Sequence, residues 1–259
     1  GEATGTHVIR VPRKPDFSID EVAVLERVRR GDVDIIVIAN PNNPTGTMAP
    51  ETLLIEVLNA TDAIVLIDEA YFEFSRQTMR PHMSRHQNLA ILRTFSKAFS
   101  LAGLRAGYLL ASADVTRELT KVRQPYSVNR FTQLAAALTF RERVVFESGV
   151  RETMRNRDML LHGLSAMPGV EVFPSEANFV LFRIEQAAAV WRDLLHDHSI
   201  LIRDVSRTPG LENCLRVTVG TEHETARFLA AMDDIMARKR ASAHFGMNPA
   251  DMSAVEEGE

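Results

Sequence analysis

The residues best suited to chemistry lie in one run, Arg93-Thr94-Phe95-Ser96-Lys97-Ala98-Phe99-Ser100-Leu101-Ala102-Gly103-Leu104-Arg105-Ala106-Gly107. A lysine stands just past an apolar stretch, behind two hydroxyl side chains, with an arginine eight residues on. Desolvation disfavours an ammonium ion, so a lysine leaving a buried strand is a candidate for Schiff-base chemistry with a carbonyl cofactor. Thr94, Ser96 and Arg105 suit a phosphate dianion, because hydroxyls donate hydrogen bonds and a guanidinium adds a bidentate fork. A Ser-Lys pair alone is more often a solvated lysine after a strand, so the surrounding loops must decide.

Two other loops share its position. Val33 to Ala39 is apolar except for Asp34, which suits a strand buried on both faces of a parallel sheet. It runs into Asn40-Pro41-Asn42-Asn43-Pro44-Thr45-Gly46, too dense in proline, asparagine and glycine for any regular element. Ala63 to Ile67 is a second apolar strand, followed by Asp68-Glu69-Ala70-Tyr71. Leu89 to Leu92 precedes the lysine run, and Tyr108 to Ala111 reads as one more strand. Helices are expected after Ser18, which has capping-box spacing to Glu21, and from Pro50-Glu51. Strand, loop and helix alternate as in an α/β parallel sheet covered by helices, where ligands bind at the carboxyl ends of the strands. All three loops fall at that edge.

Thr6 to Val11 alternates as a short strand ended by Pro12 and Pro15. From about residue 113 the pattern turns helical, over Val115–Val122, Phe131–Phe140 and Arg143–Met167. Short strands at 170–173, 179–182, 200–202 and 215–219 then alternate with helices at 187–196 and 223–240. The expected organisation is a large domain over 1–142, a smaller α+β domain over 143–240 and a disordered polar tail over 241–259.

Composition excludes several classes. With 45% hydrophobic and 25% charged residues and a net charge of -4, the 259-residue chain is an ordinary globular protein. No basic run exists to follow a nucleic-acid backbone. No stretch of about 18 apolar residues or secretory pattern is present, so no membrane partner is expected. The single cysteine, Cys214, excludes an internal disulfide or cysteine-cluster metal site and points to a reducing cytoplasm. His82 and His86 share helical spacing but have no nearby third ligand, so no metal site is assigned.

Together, Asn40–Gly46, Asp68–Tyr71, Thr94–Lys97 with Arg105, and Leu215-Arg216-Val217-Thr218-Val219 resemble the fold-type-I, pyridoxal-phosphate-dependent aminotransferases of class I/II. Arg93–Phe99, Leu101–Arg105 and Arg123-Gln124-Pro125-Tyr126-Ser127-Val128-Asn129 tilt the resemblance to the histidinol-phosphate aminotransferases, over roughly residues 7 to 240. The resemblance implies the fold-type-I architecture, a mostly parallel sheet in a large domain plus a smaller α+β domain. It implies pyridoxal 5'-phosphate as cofactor, with Asp68 on the pyridine nitrogen and Asn43 and Tyr71 donating to the phenolate oxygen. Thr94, Ser96 and Arg105 would hold the phosphate. Lys97 would form the Schiff base and move the proton, so Lys97, Asp68 and Tyr71 are the catalytic candidates. Arg216, Arg203 and Asn178 are the substrate-binding candidates. The implied activity is transamination between histidinol phosphate and 2-oxoglutarate or glutamate in histidine biosynthesis, by a cytoplasmic homodimer taking a small amino donor and a 2-oxo acid acceptor. A threonine-phosphate decarboxylase and an aromatic amino acid aminotransferase share these motifs. The sequence starts at Gly1, whereas family members carry a further N-terminal part. By resemblance that part supplies a phosphate-binding turn, a ring-stacking aromatic and a tyrosine that crosses the dimer. A chain without it is expected to have an exposed sheet edge and a half-built pocket, which leaves an inactive fragment as the other reading.

Overall fold

The computed structural model describes residues 5–245. They fall into two compact units, one formed by residues up to Arg151 with Ser175–Asn178, the other by Glu152–Pro174 with the residues from Phe179 on.

The first unit is built on strands β1 (Ile35–Ala39), β2 (Ile64–Asp68), β3 (Leu89–Thr94) and β4 (Gly107–Leu110), side by side in that order. The first three are parallel and β4 runs antiparallel to β3. Helices α1 (Glu21–Val28) and α2 (Glu51–Asn59) cover one face of the sheet. Because side chains alternate along a strand, Ile36, Ile38, Val65, Ile67 and Ile91 turn to that face, against Val24, Val28, Leu53, Leu54 and Val57. The alternate residues Ile35, Val37 and Leu92 are exposed on the other face, at 62%, 64% and 37%. The cap of α1 differs from expectation. Asp20 accepts from the Ala23 amide at 3.1 Å, while the Ser18 hydroxyl donates to Asp16 at 2.6 Å. Beyond β2 comes the short α3 (Phe72–Ser75), and after β4 come α4 (Ala113–Val122) and α5 (Arg130–Arg141).

Thr6 to Val11 does not form the expected strand. Its alternation is real, but among the described residues no neighbouring strand pairs with it, and Val8 and Ile9 stay exposed. The helix expected over Arg143–Met167 is also divided. A 3₁₀ turn occupies Arg143–Phe146, and α6 runs from Glu147 to Ser165 across the division between the units.

The second unit is an antiparallel sheet ordered β5 (Val170–Val172), β6 (Phe179–Ile184), β8 (Cys214–Thr218), β7 (Arg203–Asp204). Its core packs Val180, Phe182 and Leu215 against Leu160 and Leu164 of α6, Val190 and Leu194 of α7 (Ala187–His196), and Phe228, Met232 and Ile235 of α8 (Glu222–Phe245). The strand expected at Ile200–Ile202 begins at Arg203 instead. Backbone groups before it are committed to α7: the Ile200 amide donates to the Leu194 carbonyl at 2.8 Å, and the Ile202 carbonyl accepts from Trp191 Nε1 at 2.9 Å. Helix α8 reaches Phe245, and the rest of the segment expected to be a disordered tail lies outside the described residues.

Candidate active site

The register of the first sheet brings the sequence candidates to one edge. Asp68 ends β2, beside Ala39 of β1 and Leu92 of β3, and Thr94 ends β3 opposite Gly107 of β4. Paired residues share a face, so Asp68 and Thr94 stand on the open side of the sheet with Val37 and Leu92. Asp68 Oδ1 accepts from the Ala70 amide at 3.0 Å, which holds the turn into Tyr71. The Thr94 hydroxyl lies 2.9 Å from the Ser96 hydroxyl and 3.2 Å from the Ala106 carbonyl, and accepts from the Ser96 amide at 3.1 Å. The two hydroxyls are therefore already clustered. Gly107 is required here, since a Cβ would lie 2.7 Å from the Arg93 carbonyl oxygen.

Lys97 follows on the same edge. Its Nζ is 5.5 Å from the centre of the Tyr71 ring, within cation–π range, and Tyr71 is buried. Lys97 itself is exposed, not drawn out of water, because it sits in a turn beyond the strand and not in the strand. Arg105 has left-handed backbone, φ 52°, and is exposed. Its guanidinium donates to the Ala102 carbonyl at 3.0 Å and lines a small cavity of about 250 Å³ with Ser127, Asn129 and Thr132. Arg105 thus flanks the hydroxyl pair along the chain but is held by its own loop.

The loop bearing Asn43 is a folded cup. Asn40 is buried; its amide donates to the Asp68 carbonyl at 2.9 Å and its Oδ1 accepts from the Ala49 amide at 2.7 Å. Asn42 Nδ2 donates to Thr45 Oγ1 at 2.8 Å, and Gly46 N to the Asn42 carbonyl at 2.8 Å. Asn43 is exposed in this loop. Gly46 has φ 80°, and a Cβ there would stand 2.3 Å from Ser175 Oγ. The Glu176 amide donates to the Gly46 carbonyl at 2.9 Å, so half-buried Asn178 belongs to the Asn43 side.

The two remaining candidates, Arg203 and Arg216, are together in the second unit. They are directly opposed across β7 and β8 and line one cavity of about 750 Å³ with Trp191, Thr225, Arg227 and Phe228. The Arg216 guanidinium lies 4.8 Å from the Phe179 ring centre.

Sequence reasoning passed over a buried charged cluster behind the edge. Glu69 and Arg93, 1% and 8% exposed, form an ion pair in which Arg93 Nε and Nη2 both donate to Glu69 Oε2, at 3.1 and 2.8 Å. Thr78 Oγ1 donates to the same oxygen at 2.8 Å and accepts from Arg93 Nη2 at 2.7 Å; the Met79 amide donates to Glu69 Oε1 at 2.7 Å. The signal was an arginine inside an apolar strand, a position charged residues occupy only when paired.

The chain is 38% identical over 233 residues to histidinol-phosphate aminotransferase 1 of Carboxydothermus hydrogenoformans, covering 90% of this chain and 66% of that protein. The chain spans between 60% and 66% of the length of such curated relatives. The fold matches that of the histidinol-phosphate aminotransferase of Clostridium acetobutylicum, with a TM-score of 0.85 at 24% identity, over 92% of this chain and 73% of that one. The Sinorhizobium meliloti histidinol-phosphate aminotransferase, solved with pyridoxal 5'-phosphate, superposes with a TM-score of 0.79 at 27% identity, over 90% of this chain and 65% of that one. The profile of the aminotransferase class I and II family runs from residue 2 to residue 232, through both units and all of the loops described above. With so much of its length matched, this chain belongs to the aminotransferase class I and II family.

Proposed function

We propose that this chain forms the cofactor-holding and substrate-gripping part of a pyridoxal-5'-phosphate-dependent aminotransferase of histidine biosynthesis, a cytoplasmic homodimer exchanging an amino group between histidinol phosphate and 2-oxoglutarate. One observation carries the reading: adjacent strand ends present a carboxylate, a hydroxyl pair and an amine on a single sheet edge. That donor set fits the cofactor's chemistry. A phosphate needs hydroxyl donors and a cation, a pyridinium needs a carboxylate, and an aldehyde needs an amine.

When bound, pyridoxal phosphate supplies an electron sink beside the carbon that bears the substrate's amine. Asp68 keeps the proton on the ring nitrogen. Thr94 and Ser96 donate to the phosphate, with Arg105 as its cation. Asn43 and Tyr71 donate to the phenolate oxygen. Lys97 would anchor the aldehyde carbon and, once the substrate's amine has displaced it, would take the proton from the substrate carbon and return one, as base and acid in turn. Arg216 and Arg203 grip the anionic end of the substrate, and Asn178 helps orient it. The sequence likeness to the Carboxydothermus enzyme supports histidinol phosphate as donor.

The test is spectroscopic first. The gene product, mixed with pyridoxal phosphate and dialysed, should keep a visible absorbance that Lys97→Ala abolishes. Transamination of histidinol phosphate should fall more than about a hundredfold in that variant, the scale of general acid–base catalysis. Absorbance that ignores Lys97, or carbon dioxide release from threonine phosphate in place of amino transfer, would overturn the reading. A protein that takes up no cofactor would overturn it as well, in favour of the inactive reading.

A further inference from the structure

We propose that the buried Glu69–Arg93 pair, closed by Thr78, is the positioning element of this edge and sets how tightly it holds the phosphate-bearing cofactor. The proposal rests on the reading of the edge as a pyridoxal phosphate site.

The cluster is built into the backbone on either side of the site. Glu69 follows Asp68, Arg93 precedes Thr94, and Phe72, whose ring lies 3.6 Å from the Arg93 guanidinium carbon, follows Tyr71. Three site candidates are thus each the chain neighbour of one cluster member. Successive strand side chains point to opposite faces, so Glu69 and Arg93 turn away from the face that carries Asp68 and Thr94. They do not compete for a ligand. Their contacts also span three segments: the end of β2, the end of β3 and the loop at Thr78–Met79. The Glu69 amide donates to the Leu92 carbonyl at 2.9 Å, so the ion pair closes a ring across the last rung of the ladder.

Stability alone does not require such a pair. Replacing a buried ion pair with well-packed apolar groups is often neutral, whereas two guanidinium N–H groups converging on one carboxylate oxygen that Thr78 also holds fix distance and angle. An aspartate and a hydroxyl pair can share one rigid cofactor only if their strand ends keep a fixed spacing, and misplacement by about 1 Å costs roughly a hundredfold in reaction rate. The fork across β2 and β3 supplies that constraint.

The experiment compares the gene product with Arg93→Lys, Thr78→Val and the double variant Glu69→Leu/Arg93→Met. It records melting without cofactor, pyridoxal phosphate dissociation by the Lys97-dependent absorbance, and circular dichroism. Arg93→Lys keeps the charge and loses the fork. It should weaken cofactor binding about tenfold or more while the fold is kept, and Thr78→Val should weaken it less, in the same direction. The double variant should recover melting toward wild type without recovering cofactor affinity. If Arg93→Lys binds as wild type does, or the double variant recovers affinity along with melting, the proposal falls. Should the double variant fail to fold, the two single variants decide. A wild-type protein without Lys97-dependent absorbance would overturn the cofactor reading, and this proposal with it.

Discussion

At the scale of single residues, exposed and buried charges divide the work. Lys97 is exposed and rests on the Tyr71 ring, while its neighbour Arg93, four positions earlier, is buried with Glu69. Lys97 stands out as a candidate because a lysine behind two hydroxyls is an unusual grouping at a strand end. The partner of Arg93 does not, because Glu69 reaches it only through strand pairing. Arg203 and Arg216 were read separately, thirteen positions apart, yet antiparallel pairing of β7 with β8 sets them face to face. Both guanidinium groups line the same cavity, and a guanidinium binds an anionic group through charge-assisted hydrogen bonds. Each charge-assisted bond is worth about 1.5–3 kcal/mol, so Arg216→Ala should raise KM for the phosphate-bearing substrate roughly tenfold to a hundredfold. Steady-state kinetics with histidinol phosphate check this. An unchanged KM would remove Arg216 from the substrate's path.

At the scale of elements, apolar runs marked β1, β2 and β3, but the burial expected on both faces is met on one only, since Ile35, Val37 and Leu92 are exposed on the other. Ends were less legible. Ile200–Ile202 has a strand's composition, but α7 claims its backbone groups first. Thr6–Val11 has a strand's alternation and no pairing strand among the described residues. The return of Ser175–Asn178 to the first unit was invisible in sequence, since it goes with an amide–carbonyl bond to Gly46 and with the space that a glycine leaves. That space is testable. Gly46→Ala puts an alanine at φ 80° and a methyl group 2.3 Å from Ser175 Oγ. Left-handed backbone without glycine costs on the order of 1–3 kcal/mol, before the clash is counted. A lower melting temperature is expected, with weaker pyridoxal phosphate uptake because the same loop carries Asn43. Ser175→Gly in that background should restore part of the loss, since it removes the hydroxyl but leaves φ unchanged. Melting equal to wild type for Gly46→Ala would show that the loop is looser than its hydrogen bonds imply.

At the scale of the whole molecule, the titrating groups pull stability in opposite directions as pH changes. Hydrogen bonds from the Ser18 hydroxyl and amide hold Asp16 below the usual carboxylate range, the Arg27 hydrogen bond does so for Asp32, and bonds from the Thr221 amide and hydroxyl do so for Glu224. Groups lowered in this way favour the folded state above the ordinary carboxylate range, and the benefit is lost as pH falls through their folded midpoints. Glu73 behaves in the reverse sense. Burial pushes its carboxyl above the ordinary range, its own backbone amide, Arg93 and Arg76 offset part of that, and Glu69 adds to it. The folded state therefore holds the Glu73 proton more tightly than the unfolded chain does. Its contribution is fully present below the unfolded carboxylate midpoint and disappears as pH rises through the folded one. Glu73→Gln keeps the shape and removes the titration. Comparison with wild type cancels the exposed carboxylates common to both, so the melting-temperature difference, variant minus wild type, should increase from about pH 4 to pH 7. Melting followed by circular dichroism across that range reads the change. A difference that stays flat would mean that Glu73 ionises in the folded state as easily as in the unfolded chain, with Arg93 and Arg76 fully offsetting its burial.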